Sequence, residues 1–141
     1  MSFQECIDFI IENPGCALAT MDGNQPRVRG LIPLWTGVDG IYFTTARSKN
    51  LYSQLSANPK VELYFMRLKP IKGLRITGEV EFIEDIEVKS KAFEERSFLK
   101  TLGLERADDP NFILFRVAHG EAHFWKWENN LKEAEIPKIL F

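Results

Sequence analysis

The pattern of hydrophobic and polar residues follows two different periods along this chain. The first segment has the period of a helix. The apolar positions near the start that recur at helical intervals are Phe3, Cys6, Ile7, Ile10 and Ile11. Their spacing predicts an amphipathic helix over residues 2–12. Ser2 can cap this helix because Glu5 stands at the capping-box spacing, and the Asn-Pro-Gly run at 13–15 ends it.

After this helix the period shortens to two, which is typical of strands that are half-buried in a sheet. The predicted strands are 16–21, 25–35, 40–45, 60–66, 74–83, 112–118 and 121–127. The Asp-Gly-Asn run at 22–24 predicts a hairpin turn, and His119-Gly120 predicts a break between the last two strands.

Two further helices interrupt the strands. Ser48 is predicted to cap a helix over 49–57, which Asn58-Pro59 ends. A third helix is predicted over 85–102. The residues expected to face inward from it are Val88, Phe93 and Phe98. Short, regularly spaced antiparallel strands with peripheral helices predict a mainly β, α+β fold built on a closed or nearly closed barrel.

Composition narrows the class of protein. At 141 residues a single domain, 1–141, is expected. No apolar run reaches the roughly 20 residues that span a bilayer, and the acidic first residues do not have the character of a signal peptide. We therefore expect a cytoplasmic protein.

Cys6 and Cys16 are expected to be buried thiols rather than a disulfide, and no metal site is predicted around His119 and His123.

Charge is distributed unevenly along the chain. The segment 27–75 holds nine basic and two acidic residues, a net charge of +7, whereas the remainder carries −9. This asymmetry favours an anionic ligand near the middle of the chain. The acidic remainder argues against a general nucleic-acid-binding protein.

The segment 26–50 holds the densest candidate chemistry. Arg27 and Arg29 alternate on one predicted strand, and Thr44-Thr45 ends the next. The run Ser48-Lys49-Asn50 follows at a predicted helix start. We expect a hairpin between the two strands to bring these groups together. Cations, hydroxyls and free helix N–H groups suit a phosphate.

The order of these pieces resembles a known family. The runs ATMDGNQPRVRGLIPLW, GIYFTTARSKNLYSQLSANPKVELYF and LRITGEVEFIED are similar to the pyridoxamine 5′-phosphate oxidase-like family, the flavin-binding split β-barrels. The resemblance covers roughly residues 3 to 88 and extends more loosely to about 127. It implies a split-barrel fold and a homodimer with two FMN sites in the subunit interface.

The resemblance also implies roles for particular residues. Arg29 matches the arginine that reaches the FMN phosphate. The residues that match the strand end lining the flavin and the segment cradling the phosphate are Thr44, Thr45, Ser48, Lys49 and Asn50. Leu31 and Ile32 would pass beside the isoalloxazine ring with their backbone groups. Trp125 or Trp127 would be the late aromatic residue that packs near the flavin of the other subunit.

The chain departs from the authentic oxidase at two places. Leu34 stands where the oxidase has a basic residue, and nothing after Phe124 resembles its C-terminal arginine-histidine-arginine segment. The resemblance therefore implies a small flavoprotein of the wider family, an FMN-dependent oxidoreductase acting on a small molecule. The alternatives are a non-catalytic flavin-binding or sensor protein, a relative that binds heme or the deazaflavin cofactor F420, and an interaction domain with an acidic partner. No catalytic side chain is predicted.

Overall fold

The computed structural model describes residues 2–141, which form eight strands and three α-helices. The strands are β1 (Cys16–Asp22), β2 (Gln25–Leu31), β3 (Trp35–Gly37), β4 (Gly40–Ala46), β5 (Lys60–Leu68), β6 (Ile71–Ile83), β7 (Phe112–Lys126) and β8 (Ile139–Leu140). The helices are α1 (Phe3–Glu12), α2 (Asn50–Ala57) and α3 (Ile86–Glu95). Short 3₁₀ helices span Ser97–Leu102, Trp127–Asn129 and Glu133–Glu135.

All strand pairs are antiparallel, and the sheet runs in the order β2-β1-β5-β6-β7-β4-β3, with β8 paired to β7. The two ends of this path do not pair with each other. Helix α2 contacts β1 near one end and β4 near the other, so it fills the gap in the barrel wall. The predicted α+β split β-barrel is therefore confirmed.

The sheet separates two apolar clusters. The larger cluster fills the barrel and includes Leu18, Phe43, Phe65 and Phe115. The smaller one lies on the other face of β4 and β7, where α3 and the 3₁₀ helix Ser97–Leu102 cover it. Alternation along β4 explains this division, because successive side chains of a strand point to opposite faces.

Helix α1 follows its predicted pattern. Its buried residues, Cys6, Ile7, Phe9 and Ile10, face the barrel. The Ser2 backbone N–H donates to the Glu5 carboxylate across 3.4 Å. This is one of the two hydrogen bonds of a capping box, the one that the side chain of the third helical residue accepts from the N-cap backbone. Cys6 and Cys16 are free, buried thiols, and burial raises the pKa of each, to about 11 and about 12.

The prediction of two separate C-terminal strands is wrong, because Phe112–Lys126 is one continuous strand. Gly120 pairs with Gly78 of β6, beside a register shift between Gly78 and Val80. A Cβ on Gly120 would overlap the Thr77 carbonyl oxygen. Gly120 therefore permits close approach of two strands, and it is not a turn residue.

The third helix is shorter than predicted. Helix α3 ends at Glu95, and a 3₁₀ helix continues from Ser97. Phe93 is buried as expected, but Phe98 is 49% exposed because the change of helix type rotates it away from the apolar cluster.

Trp127 also differs from expectation. It begins a 3₁₀ helix after β7 and is exposed, so it does not share a strand face with Trp125.

No helix among residues 2–141 is long and apolar enough to cross a membrane. In the same part of the chain, no group of three or more His, Cys, Asp or Glu side chains is arranged to hold a metal ion.

Candidate functional site

A cavity of about 280 Å³ opens where β4 ends and α2 begins. One wall is polar and is formed by Thr44, Thr45, Ser48, Lys49 and Asn111. Its apolar lining is formed by Leu99, Leu102 and Leu104. The structure thus brings together four of the predicted site residues, and Asn50 starts the adjacent helix.

The start of α2 leaves backbone donors available at this cavity. The predicted cap, Ser48, lies one residue too early, because Lys49 is the N-cap and no side chain caps the helix. The Ser48 backbone N–H instead donates to the Asn111 Oδ1 atom at 3.1 Å. Ser48, Lys49 and Asn50 are all exposed. An uncapped helix start presents N–H groups and a partial positive charge to an anion.

The two threonines differ in their surroundings. Thr44 is half-buried, whereas Thr45 is buried. The Thr45 Oγ1 atom is the one buried side-chain oxygen or nitrogen of residues 2–141 that lacks a hydrogen-bond partner. A buried hydroxyl without a partner costs free energy. Thr45 shares the barrel face of β4 with Phe43, whereas Thr44 lies on the face of β4 that borders the smaller apolar cluster and the leucines of the cavity.

Arg29 reaches inward from β2 and is held by three residues. Its Nη1 group donates to the Leu18 carbonyl oxygen at 3.2 Å and to Thr20 Oγ1 at 2.8 Å. Its Nη2 group donates to Gln54 Oε1 at 2.6 Å. The strand register explains this direction, because Arg29 lies opposite Leu18, whose side chain belongs to the barrel core.

The charge of Arg29 has no counter-charge among residues 2–141, where no acid forms a salt bridge with it. Arg27, two residues earlier on the same face, is more exposed and pairs with Asp22 at 3.3 Å. Burial lowers the pKa of Arg29, but an arginine remains protonated. Arg29 is therefore a half-buried cation without a carboxylate, a feature that favours an anionic ligand.

Arg29 contacts helix α2, whose start borders the cavity. The hairpin that was expected to bring the arginine strand and the threonine strand together does not form. Strand β3 pairs with β4, while β2 pairs with β1 at the opposite end of the sheet path. The predicted hairpin between the arginine strand and the threonine strand is therefore wrong. Gln54, which contacts Arg29, lies one helical turn after Asn50, and one turn advances about 5.4 Å. Arg29 is thus held by the same helix whose start borders the cavity, although Arg29 itself does not line the cavity.

Leu31 and Trp125 occupy different places. Leu31 shares the inward face of β2 with Arg29 and packs against the barrel core. Trp125 lies on the outer face of the sheet, where it lines a second cavity of about 450 Å³. That cavity is also lined by Ala17, Ala19, Val28, Tyr64 and Arg75. Trp125 therefore does not reach the cavity of its own chain at α2.

Three residues of the site were missed by sequence reasoning. Gln54 and Thr20 are buried and hold Arg29, and Asn111 holds the turn before α2. A polar residue on the apolar stripe of a helix was the available signal for Gln54, because it follows Leu51 by three positions and precedes Leu55. Asn111 carried no local signal, since it is 63 positions from Ser48.

Comparison with known proteins gives a family match and solved structures of the same fold. The family model described as pyridoxamine 5′-phosphate oxidase matches residues 3–126 of the chain. No curated protein sequence matches it. Among solved structures, a NimC/NimA family protein from Clostridium acetobutylicum is similar, with 28% identity and a TM-score of 0.80, over 98% of this chain and 92% of that one.

Two more distant structures share the fold. One is a pyridoxamine 5′-phosphate oxidase-related, FMN-binding protein from Nostoc punctiforme, with 14% identity and a TM-score of 0.72 over 98% of this chain and 95% of that one. The other is HutZ, a heme storage protein from Vibrio cholerae, with 19% identity and a TM-score of 0.65 over 89% of this chain and 95% of that one. An FMN-binding protein and a heme storage protein thus share this architecture.

Proposed function

The chain belongs to the pyridoxamine 5′-phosphate oxidase family, and on this premise we propose that it is a flavoprotein that binds FMN and exchanges electrons with a small molecule. The observation that carries this proposal is Arg29, a half-buried cation without a carboxylate partner in residues 2–141. A phosphate monoester supplies the missing negative charge, and guanidinium groups bind phosphate oxygens with strong, directed hydrogen bonds.

The donor set fits an FMN phosphate. Arginine has five N–H donors, and three of those on Arg29 are used within the chain, so two are left for phosphate oxygens. The exposed Lys49 ammonium and the uncapped start of α2 add charge and backbone donors. The half-buried Thr44, on the cavity side of β4, would bind a polar atom of the ligand chain.

The cavity is too small for the whole cofactor. Its volume of about 280 Å³ lies just below the range of typical small-molecule pockets, roughly 300–1,000 Å³. It suits the phosphate and part of the ribityl chain, and the flavin ring needs a further surface. We propose that a second copy of the chain provides this surface in a homodimer.

The outer face of the sheet supports a dimer. Ala17, Ala19 and Val28 present small apolar side chains beside Trp125 and Tyr64, and the charged residues Glu62, Arg75 and Glu133 line the same surface. Val28 is 67% exposed, and Trp125 is only half-buried. Small residues allow a second sheet to approach closely, and an aromatic residue provides a flat surface for stacking. In this arrangement Trp125 would face the flavin of the partner subunit.

The chemistry in this proposal belongs to the cofactor. Bound FMN would supply one- or two-electron transfer at its ring system. The residues of the chain would bind the phosphate, orient the ring and exclude water. The apolar wall of Leu99, Leu102 and Leu104 limits solvent access on one side. No protein nucleophile is required, and none is proposed.

Leu34 argues against a phosphorylated pyridoxine as the substrate. It occupies the position at which the authentic oxidase has a basic residue, and here it is buried in the smaller apolar cluster. The Leu34 backbone is also engaged, because its N–H donates to the Tyr42 carbonyl oxygen at 2.7 Å. We therefore propose an uncharged or singly charged, electron-poor small molecule, such as a nitro-heterocycle or a quinone, as the substrate.

An absorption spectrum tests the cofactor. The purified protein is incubated with FMN, desalted and measured, and retained flavin bands are the expected result. A colourless protein would contradict the proposal, and the same procedure with heme and with a deazaflavin would identify the cofactor instead. Steady-state turnover with NADPH or NADH and a quinone then separates an oxidoreductase from a protein that only binds flavin.

A further inference from the structure

Three residues form a closed hydrogen-bonded ring at the inner end of Arg29. The Thr20 hydroxyl accepts from Arg29 Nη1 at 2.8 Å and donates to Gln54 Oε1 at 2.7 Å. Gln54 Oε1 also accepts from Arg29 Nη2 at 2.6 Å, which closes the ring. Thr20 is 2% exposed and Gln54 is 7% exposed, so the polar atoms on the strand and on the helix are removed from solvent.

The ring fixes the orientation of the Gln54 amide. Two donors converge on one atom of the amide, so that atom must be the oxygen. The oxygen in turn fixes the guanidinium plane from one side. The Thr20 hydroxyl, the Gln54 oxygen and the guanidinium all bond within the ring, so rotation of any one of them would leave a buried group without this partner.

Gln54 also has the right charge for this role. A glutamate of the same shape would hold Arg29 equally well, but its carboxylate would neutralise the guanidinium at salt-bridge distance. A neutral amide orients the arginine and leaves its positive charge available. A site for an anion requires such an available positive charge, whereas a site that only stabilises the fold does not.

We propose that Gln54, with Thr20, is a positioning residue that makes the site selective for a phosphorylated flavin over the unphosphorylated one. This inference rests on the proposed function, since it assigns how the same site recognises its cofactor. It predicts that a negative charge at position 54 abolishes phosphate recognition while the rest of the flavin site is retained.

The test compares the affinities for FMN and riboflavin by flavin fluorescence quenching. In wild-type protein we expect FMN to bind at least about 100-fold more tightly than riboflavin, because only FMN meets the cation. In Gln54→Glu we expect the FMN dissociation constant to rise about 100-fold, with that of riboflavin changed less than about threefold. Thr20→Val, which keeps the shape and removes the hydroxyl, should weaken FMN about fivefold.

Ser56→Glu is the matched control. It places the same charge on the exposed face of the same helix, and FMN affinity should stay within about twofold of wild type, because an exposed charge is screened. If Gln54→Glu does not fold, Thr20→Val carries the test alone.

Two results would overturn the inference while leaving the proposed function intact. One is an FMN dissociation constant that stays at the wild-type value in both Gln54→Glu and Thr20→Val. The other is an equal loss of both flavins, which would assign Gln54 a purely structural role. A wild-type protein that does not distinguish FMN from riboflavin would overturn both the inference and the proposed function.

Discussion

Arg29 on β2 and Gln54 on α2 are 25 positions apart in sequence and are joined by a 2.6 Å hydrogen bond. The contact crosses the gap of the split barrel, between the inward face of an edge strand and the helix that fills the gap. It joins a half-buried cation to a residue that lies one helical turn after the uncapped start of α2. The candidate phosphate site therefore depends on how the barrel closes as well as on its local sequence motif.

Replacing Arg29 by alanine should weaken FMN binding by about 2 kcal/mol, or roughly 30-fold in dissociation constant, because a charge-assisted hydrogen bond to a partly buried phosphate is lost. Isothermal titration with FMN measures the effect. Arg27→Ala is the control, since Arg27 lies on the same face of β2 but pairs with Asp22 in solvent. Equal effects of the two changes would show that Arg29 is not the phosphate ligand.

Lys49→Ala should have a smaller effect, about threefold, because Lys49 is exposed and its charge is screened by water and salt. The difference from wild type should shrink as salt is raised from about 50 mM to about 500 mM. FMN titrations at several ionic strengths measure this. A large effect that does not depend on salt would mean that Lys49 is desolvated by the bound ligand.

Local patterns in the sequence predicted much of this fold. The periods of α1 and β6 were readable because each element buries one face along its whole length. Thr44, Thr45, Ser48 and Lys49 also line one cavity, and Asn50 starts the adjacent helix. These features depend on neighbours a few positions away, so a short window of sequence contains them.

The features that were missed depend on distant neighbours. Gly120 resembled a turn residue, and only its contact with Thr77 explains why it is glycine. Gln54 lies on the apolar stripe of α2, but only its contacts with Arg29 and Thr20 show what its amide does. The arginine strand β2 and the threonine strand β4 are close in sequence, yet β2 lies at one end of the sheet path and β4 lies next to the other end. Closure of a barrel is a property of all strands together, and no single motif encodes it.

A charge on the outer sheet face should disrupt the proposed homodimer. Val28→Glu places a carboxylate on that face, where it would be desolvated between two copies of the chain. We expect the wild type to elute as a dimer in size-exclusion chromatography with light scattering, and the variant as a monomer that has lost most of its FMN.

Val38→Glu is the matched control for this change, because Val38 is 82% exposed on the turn between β3 and β4, away from that face. It should remain dimeric and retain flavin. A dimeric Val28→Glu protein would place the subunit contact on another surface, and a monomeric wild type would contradict the homodimer itself.

Gly120→Ala should destabilise the fold by about 3 kcal/mol or more, because its Cβ would overlap the Thr77 carbonyl and force β6 and β7 apart. Urea unfolding followed by tryptophan fluorescence measures the change. Gly15→Ala serves as the comparison, since no heavy atom lies within 4 Å of its Cβ position, and it should stay within about 0.5 kcal/mol of wild type. Similar stabilities of the two variants would mean that β6 and β7 are not tightly packed at Gly120.

His123 should make the fold sensitive to mild acid. Burial lowers its pKa below the ordinary value of 6.5, and the cations Lys138 and Arg75 lower it further, while Glu121 and Glu62 act in the opposite direction. Lys138 Nζ lies 3.2 Å from the His123 Nδ1 atom. Below pH 6.5 the unfolded chain binds a proton at this position before the folded chain does. Stability is therefore fully present above that pH and decreases as the pH falls towards the lowered pKa.

Replacing His123 by glutamine should remove this part of the acid sensitivity. The midpoint of urea unfolding, measured between about pH 7.5 and about pH 5.5, should fall less in His123→Gln than in wild type. His119→Gln is the control on the same strand, because His119 is exposed. If His123→Gln and wild type lose stability equally over this range, the acid sensitivity arises from the carboxylates, and the contact with Lys138 does not hold His123 in its neutral form.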